Sequence, residues 1–175
     1  MAARADLSPG DWAVLAVIAE QPNHGYGIAQ LLAPTGDFGR VWSMSRQRVY
    51  HAIEKLQQHG LVETTGTEQR RARQRRVITI TPAGTALIAA WLVEPVEHVR
   101  DIRSDLMLKL LIHYRAGTTT TRLLRAQMRL ISAQIEGTRR NLQAARGFER
   151  TLLQWRLHTA EATERFLDEQ LTTAR

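Results

Sequence analysis

A chain of 175 residues has room for one ordinary domain or two small ones, each with a modest core. Its 24 basic residues outnumber its 17 acidic ones to give +7, and 22 of them are arginine, lysine standing only at positions 55 and 109; the planar arginine fork suits phosphate oxygens and guanine edges. Cysteine is absent, which excludes disulfides, thiolate metal sites and thiol nucleophiles, and no apolar run approaches the roughly 20 residues of a membrane span.

The start of the chain lacks the charged, apolar and small-residue order of a secretion signal, so a cytoplasmic protein with no membrane partner is expected. Ser8, Pro9 and Asp11 read as the cap, first position and capping-box return of a first helix that buries Trp12, Leu15, Val17, Ile18 and Ala19. Pro22 ends it. A short second helix is expected over His24 to Leu32 with Ile28, Leu31 and Leu32 inward, and then a break through Pro34, Gly36 and Gly39.

The stretch from Ser45 to Val62 is the best-defined helix. Val49, Ala52, Ile53 and Leu56 make one apolar face, Ser45 is a good N-cap, and Gly60 with Leu61 closes the C-terminal end. At 100° per residue, Gln47, His51, Glu54 and Gln58 point away from that face, with Arg48 and Tyr50 on its flanks. Such a polar face is either ordinary solvated surface or the face of a recognition helix whose leading residues reach bases and phosphates.

The segment C-terminal to this helix favours a recognition helix. Two β-branched runs, Leu61 to Thr65 and Val77 to Thr81, predict a hairpin whose tip, residues 67–76, holds arginines 70, 71, 73, 75 and 76. Five like charges there repel one another unless an anion neutralises them, so order on a partner is expected. Three helices and a basic hairpin make a winged helix-turn-helix. Thr81 and Pro82 then start a fourth helix with Leu87, Ile88, Trp91 and Leu92 as its stripe, and Pro95 ends it. Glu94, Glu97, Asp101 and Asp105 mark a change of charge, which puts the domain boundary between 1–93 and 94–175.

Residues 106–112 are apolar nearly all round, so this segment should be buried on more than one side. After Gly117 and Thr118 to Thr121, Leu124, Met128, Ile131, Ile135, Thr138 and Leu142 recur at heptad spacing, flanked by arginines 122, 125, 129, 139 and 140. Beyond Gly147, Leu152, Trp155, Thr159, Ala162 and Phe166 repeat the pattern. Burying both seams needs more surface than this region offers, so a homodimer through Leu124, Met128, Ile131, Ile135, Leu142, Leu152, Trp155 and Phe166 is expected; an intramolecular bundle is the alternative. The fold class is mainly α, with an N-terminal winged helix-turn-helix carrying a two-stranded wing and a C-terminal long-helix dimerisation region.

The chain resembles the PadR-like transcriptional regulators through His24-Gly25-Tyr26, Val49-Tyr50-x-x-Ile53-x-x-Leu56-x-x-x-Gly60-Leu61-Val62, the basic wing, and Ile80-Thr81-x-x-Gly84. Leu106-x-Leu-Lys-Leu-Leu and the arginine-flanked heptads resemble the branch related to virulence-gene activators. Two departures stand out: the third helix opens Met-Ser-Arg-Gln-Arg where the family commonly has Ser-x-Gly, and the wing is richer in arginine. The resemblance implies a homodimeric regulator, most often a repressor, bound to a palindromic operator on double-stranded DNA and released by a small, often aromatic, effector. It implies DNA contacts from Ser45, Arg46, Gln47, Arg48, Tyr50 and His51, from Tyr26, and from wing residues Arg71, Arg73 and Arg75. A ligand site near Trp91, Ile102 and Leu106 is a further expectation.

Activation and a DNA-free protein adaptor are the alternatives, and a structured-RNA partner fits the charge equally. An enzyme is not expected. The six histidines show no metal-ligand spacing with carboxylates, and there is no glycine-rich phosphate loop or paired acid, so neither metal nor cofactor is implied.

Overall fold

The structure, a computed structural model, describes residues 7–173 apart from 71 and 72, and the side chains of that span apart from those of 67–75. Helix α1 (Pro9–Glu20) is buried continuously from Gly10 to Ile18, so it runs through the middle of the first unit and is enclosed beyond the apolar positions that the sequence singles out. Its start is the expected capping box. The Asp11 amide donates to Ser8 Oγ at 3.3 Å and the Ser8 amide donates to Asp11 Oδ2 at 2.8 Å. The same oxygen accepts the Lys55 ammonium at 2.8 Å. Burial works to raise the Asp11 pKa, but the Lys55 and Ser8 donors together outweigh it and hold the carboxyl below its ordinary value.

Asn23–His24 form a two-residue strand, β1, and helix α2 continues over Gly25–Leu31 with His24 as its N-cap. The expected helix from 24 to 32 is thus trimmed at each end. The loop after it folds back on α2: the Phe38 and Gly39 amides donate to the Leu31 carbonyl at 3.1 and 3.0 Å, and the Met44 amide to that of Leu32 at 2.9 Å. A Cβ on Gly39 would stand 1.7 Å from the Ala33 carbonyl oxygen, so only glycine admits this path.

Helix α3 (Arg46–Gln58) buries Val49, Ala52, Ile53 and Leu56, the face expected of it. Ser45 Oγ accepts the Arg48 amide at 3.4 Å. The helix closes with Gly60 at φ +66° and the Leu61 amide donating to the Leu56 carbonyl at 2.9 Å, a Schellman closure. Strands β2 (Val62–Arg70) and β3 (Arg73–Ile80) pair antiparallel from Val62↔Ile80 to Arg70↔Arg73, with a bulge between Thr64 and Gly66. Backbone pairing therefore extends well into the arginine-rich stretch. β1 adds to the other edge of β3, so the expected two-stranded wing is part of a three-stranded sheet of order β1-β3-β2. Helix α4 (Pro82–Val93) is joined to the end of α3 by one hydroxyl: Thr81 Oγ1 donates to the Gly60 carbonyl at 2.7 Å and accepts the Gly84 amide at 3.1 Å.

The chain forms two compact units, and a single cut at 93/94 does not separate them. The first comprises residues up to Leu92 together with Met107–Ala116; the second comprises Val93–Leu106 and residues from Gly117 onward. The returning segment is helix α5 (Met107–Ala116), whose Leu108 and Ile112 enter the core around α1. Its Lys109 ammonium lies 4.6 Å from the centre of the Trp91 ring, which is stacked on Trp12 at 4.6 Å and 7°. The apolar segment expected to be buried on more than one side is used to complete the head.

In the second unit, helices α6 (Thr121–Ala144) and α7 (Gly147–Thr173) form an antiparallel hairpin, with Gly147 at φ +56° after a two-residue link. Ser132 Oγ donates to Glu164 at 2.6 Å and Arg139 Nη2 to Glu161 at 2.7 Å. Buried Gln127 donates to the Val96 carbonyl at 2.9 Å and accepts its amide at 2.6 Å, which holds the segment after α4 against α6. Of the α6 seam, Leu124, Ile131 and Ile135 are buried within the chain, while Met128 and Leu142 are half-buried. In α7 the buried stripe is Leu153, Leu157, Ala160, Thr163 and Leu167, one position round from the expected one. Leu152 and Phe166 are half-buried, and Trp155 and Phe148 are 70% and 80% exposed. α7 thus carries two apolar stripes, and α6 covers only one. Among the described residues no helix is long and apolar enough to cross a membrane.

Replacing Asp11 with Asn weakens the cap of α1 and its tie to α3 together, and should lower stability by about 1–3 kcal/mol in urea denaturation. Because the folded-state pKa is depressed, this contribution is present at neutral pH and lost as pH falls through the folded value. The gap between wild type and Asp11→Asn should stay constant from about pH 7 to 5 and shrink below about pH 4.

Candidate nucleic-acid interface

Because α3 is held by its apolar face and by Lys55, its first turns stand clear of the core. Ser45, Arg46, Gln47, Arg48, Tyr50 and His51 are all exposed, so the α3 residues expected to act together do lie on one accessible surface. That surface has two flanks. On one, Arg46 and Tyr50 join Tyr26 of α2, Gln57 further along α3, and Thr64, Arg76 and Ile78 of the hairpin around a cleft of about 730 Å³. On the other, Gln47, Arg48 and His51 border a smaller cleft of about 410 Å³ with Ser8, Gly10 and Met44.

The first flank is the more organised. The Arg46 guanidinium carbon lies 5.5 Å from the centre of the Tyr26 ring and 5.8 Å from that of Tyr50, within cation–π range of both. Tyr26 is itself steadied, its hydroxyl accepting Gln30 Nε2 at 3.2 Å and its ring standing edge-on to His24 at 6.4 Å. Tyr50 lies against Gly25, where a Cβ would come within 2.7 Å of the ring. Gln57 Nε2 donates to Thr64 Oγ1 at 3.1 Å, tying α3 to the root of the hairpin. A charged fork held between two rings loses less freedom on meeting a phosphate than one on an unrestrained stem.

Arg76 is a wing residue that the expected set of Arg71, Arg73 and Arg75 leaves out. Period-two alternation along β3 puts it on the face of buried Ile78, toward α3, and that alternation was the signal available for finding it. Arg71 lies outside the described residues, as do the side chains of Arg73 and Arg75; the backbones of these last two pair with Arg70 and Glu68. Of the expected ligand residues, Trp91 belongs to the first unit, and Ile102 and Leu106, both buried, to the second. Among the described residues no group of three or more histidines and acids could hold a metal ion. The cluster around Arg46 offers positive charge, hydrogen-bond donors and aromatic faces.

Residues 14–90 match the profile of the transcriptional regulator PadR-like family. The chain is similar to the probable transcriptional regulator Rv1176c of Mycobacterium tuberculosis (strain ATCC 25618 / H37Rv), with 26% identity over 93 residues covering 53% of this chain; the match spans about half of that protein, 48%. Among solved structures, Bacillus subtilis PadR in complex with operator DNA is similar at 18% identity and a TM-score of 0.47, over 94% of this chain and 98% of that one. The PadR-like transcriptional regulator BC1756 from Bacillus cereus is similar at 17% identity and a TM-score of 0.45, over 99% of each chain.

Gly25→Ala should displace the Tyr50 ring and free Arg46, seen as a shifted Arg46 side-chain Nε–H resonance, with a change in stability of less than about 1 kcal/mol.

Proposed function

We propose that the chain, whose residues 14–90 match the transcriptional regulator PadR-like family, is a regulator of that family and binds double-stranded operator DNA in a sequence-specific way as a homodimer. On this reading it acts in regulation rather than as an enzyme. The observation that carries the reading is Arg46, held between Tyr26 and Tyr50 at the mouth of the cleft it shares with Arg76. Arg46 and Arg76 engage backbone phosphates on either side of the cleft, while Gln47, Arg48 and His51, on the other flank of the same turns, reach base edges in the major groove. Arg71, Arg73 and Arg75 extend the backbone contacts along the wing.

The uncovered stripe of α7 supports the dimer. Phe148, Leu152, Trp155 and Phe166 lie on it, and two exposed large aromatics on one helix face are a poor surface for a monomer. A palindromic site requires a dimer to present its two α3 helices about 34 Å apart, one turn of DNA. The finer reading, supported by the family resemblance, is repression relieved by a small aromatic molecule.

Fluorescence anisotropy against the duplex upstream of the coding sequence and a scrambled duplex tests the proposal. Preference for the upstream duplex is expected, with a log–log salt slope of roughly −0.9 for each phosphate engaged. Arg46→Gln should weaken binding by about 1–3 kcal/mol and flatten the slope by about one. Equal, salt-erased binding to both duplexes would sink the sequence-specific reading. For the dimer, Trp155→Glu should move the sedimentation coefficient to that of a monomer and reduce operator affinity at least about 10-fold; an unchanged coefficient would refute an interface on this stripe.

A further inference from the structure

Arg115 stands in the last turn of α5, and all three of its guanidinium nitrogens are engaged inside the first unit. Nε and Nη2 donate to the two carboxylate oxygens of Glu20 at 2.6 and 2.9 Å, and Nη1 donates to Asp37 Oδ2 at 2.7 Å. The guanidinium carbon also lies 5.2 Å from the centre of the Phe38 ring. One side chain thus gathers three places far apart in sequence: the end of α1, the loop ahead of α3, and α5. The fork on Glu20 is partly shielded, the Glu20 side chain being 21% exposed and that of Arg115 30%, whereas the Asp37 side chain is 62% exposed. The Glu20 contact is therefore the anchor and the Asp37 contact the lighter arm.

The loop that Arg115 grips has little freedom of its own. Phe38 is fully buried, its amide and that of Gly39 are bonded to Leu31, and the path ends at buried Met44, immediately before the Ser45 cap of α3. Where Asp37 and Phe38 are held decides where the first turn of α3 begins. That turn carries Arg46.

We propose that Arg115 is a positioning residue for the DNA-facing end of α3: it clamps the 36–44 loop to α1 and α5, and through the loop sets Arg46 and Tyr50 without touching DNA itself. The proposal rests on the DNA-binding reading above. It gives α5 a role beyond filling the core. Both ends of α5 continue into the second unit, so the clasp is where a displacement of α5 would be passed to α3.

Two variants, Arg115→Lys and Asp37→Asn, test this by anisotropy on the upstream duplex over a series of salt concentrations, with amide hydrogen exchange on each free protein. Lysine keeps the charge but cannot serve two carboxylates in one plane or stack on Phe38 as the guanidinium does. Asp37→Asn makes the chain more positive, so electrostatics alone would tighten DNA binding, whereas the clasp predicts weaker binding. This variant alters only an exposed loop acid, so the test stands even if Arg115→Lys fails to fold. Both are expected to lose about 3- to 10-fold in affinity with the salt slope unchanged, and to exchange the amides of residues 36–46 faster than wild type. Wild-type affinity in Arg115→Lys, or tighter binding in Asp37→Asn with unchanged exchange, would overturn the role of Arg115 while leaving the DNA-binding reading intact. Failure of the wild type to bind any duplex would overturn that reading, and this role with it.

Discussion

The carboxylate of Asp11 holds the head together at the point where its two principal helices meet. One oxygen accepts the Ser8 amide, the Ser8 hydroxyl and the Lys55 ammonium, so the start of α1 and the last turn of α3 share an anchor. A charge this well covered is tolerated because every donor around it is fixed by a helix. With α1 buried along most of its length and α3 tied to it, α3 can present its polar face outward without support from that side.

The two lysines obey the same division of labour. Lys55 is joined to Asp11 and Lys109 is buried over Trp91, so both serve the interior, and the cations of the outer surface are arginines. Compact ammonium groups suit single internal acceptors and ring faces; flat guanidinium forks suit anions that offer several oxygens. The arginine-rich composition is thus resolved by position. Arg115 joins helices, Arg139 joins α6 to α7, and Arg46 and Arg76 border the open cleft.

Where local chemistry decides the structure, the sequence was legible. Ser8 with Asp11 and Ser45 with Gly60 mark helix ends that their own neighbours satisfy: both helices begin, and α3 closes, where these residues require. Long-range choices were not legible. β1 is two residues long, too short to carry a period, and exists because β3 has a free edge beside it. In α7 the apolar stripe led by Leu152 and that led by Leu153 both satisfy helical spacing, and only the hairpin with α6 selects the second. The α3 side of the site was visible from its polar face, whereas Arg76 needed the β3 alternation and the Tyr26–Arg46–Tyr50 stack needed the path of the loop between α2 and α3. The apolar run around 106–112 announced burial but not its destination, since a helix apolar all round fits any core.

The destination of α5 has a consequence for biosynthesis. A ribosome that has released residues 1–92 has delivered α1 to α4 and the hairpin, yet the core around Trp12 and Trp91 still lacks Leu108, Lys109 and Ile112. The head cannot finish until the chain has been made through Ala116, after the first segment of the second unit has already emerged. Folding of the two units is therefore interleaved in time as the chain is translated, and the nascent head exposes apolar surface until its last helix arrives.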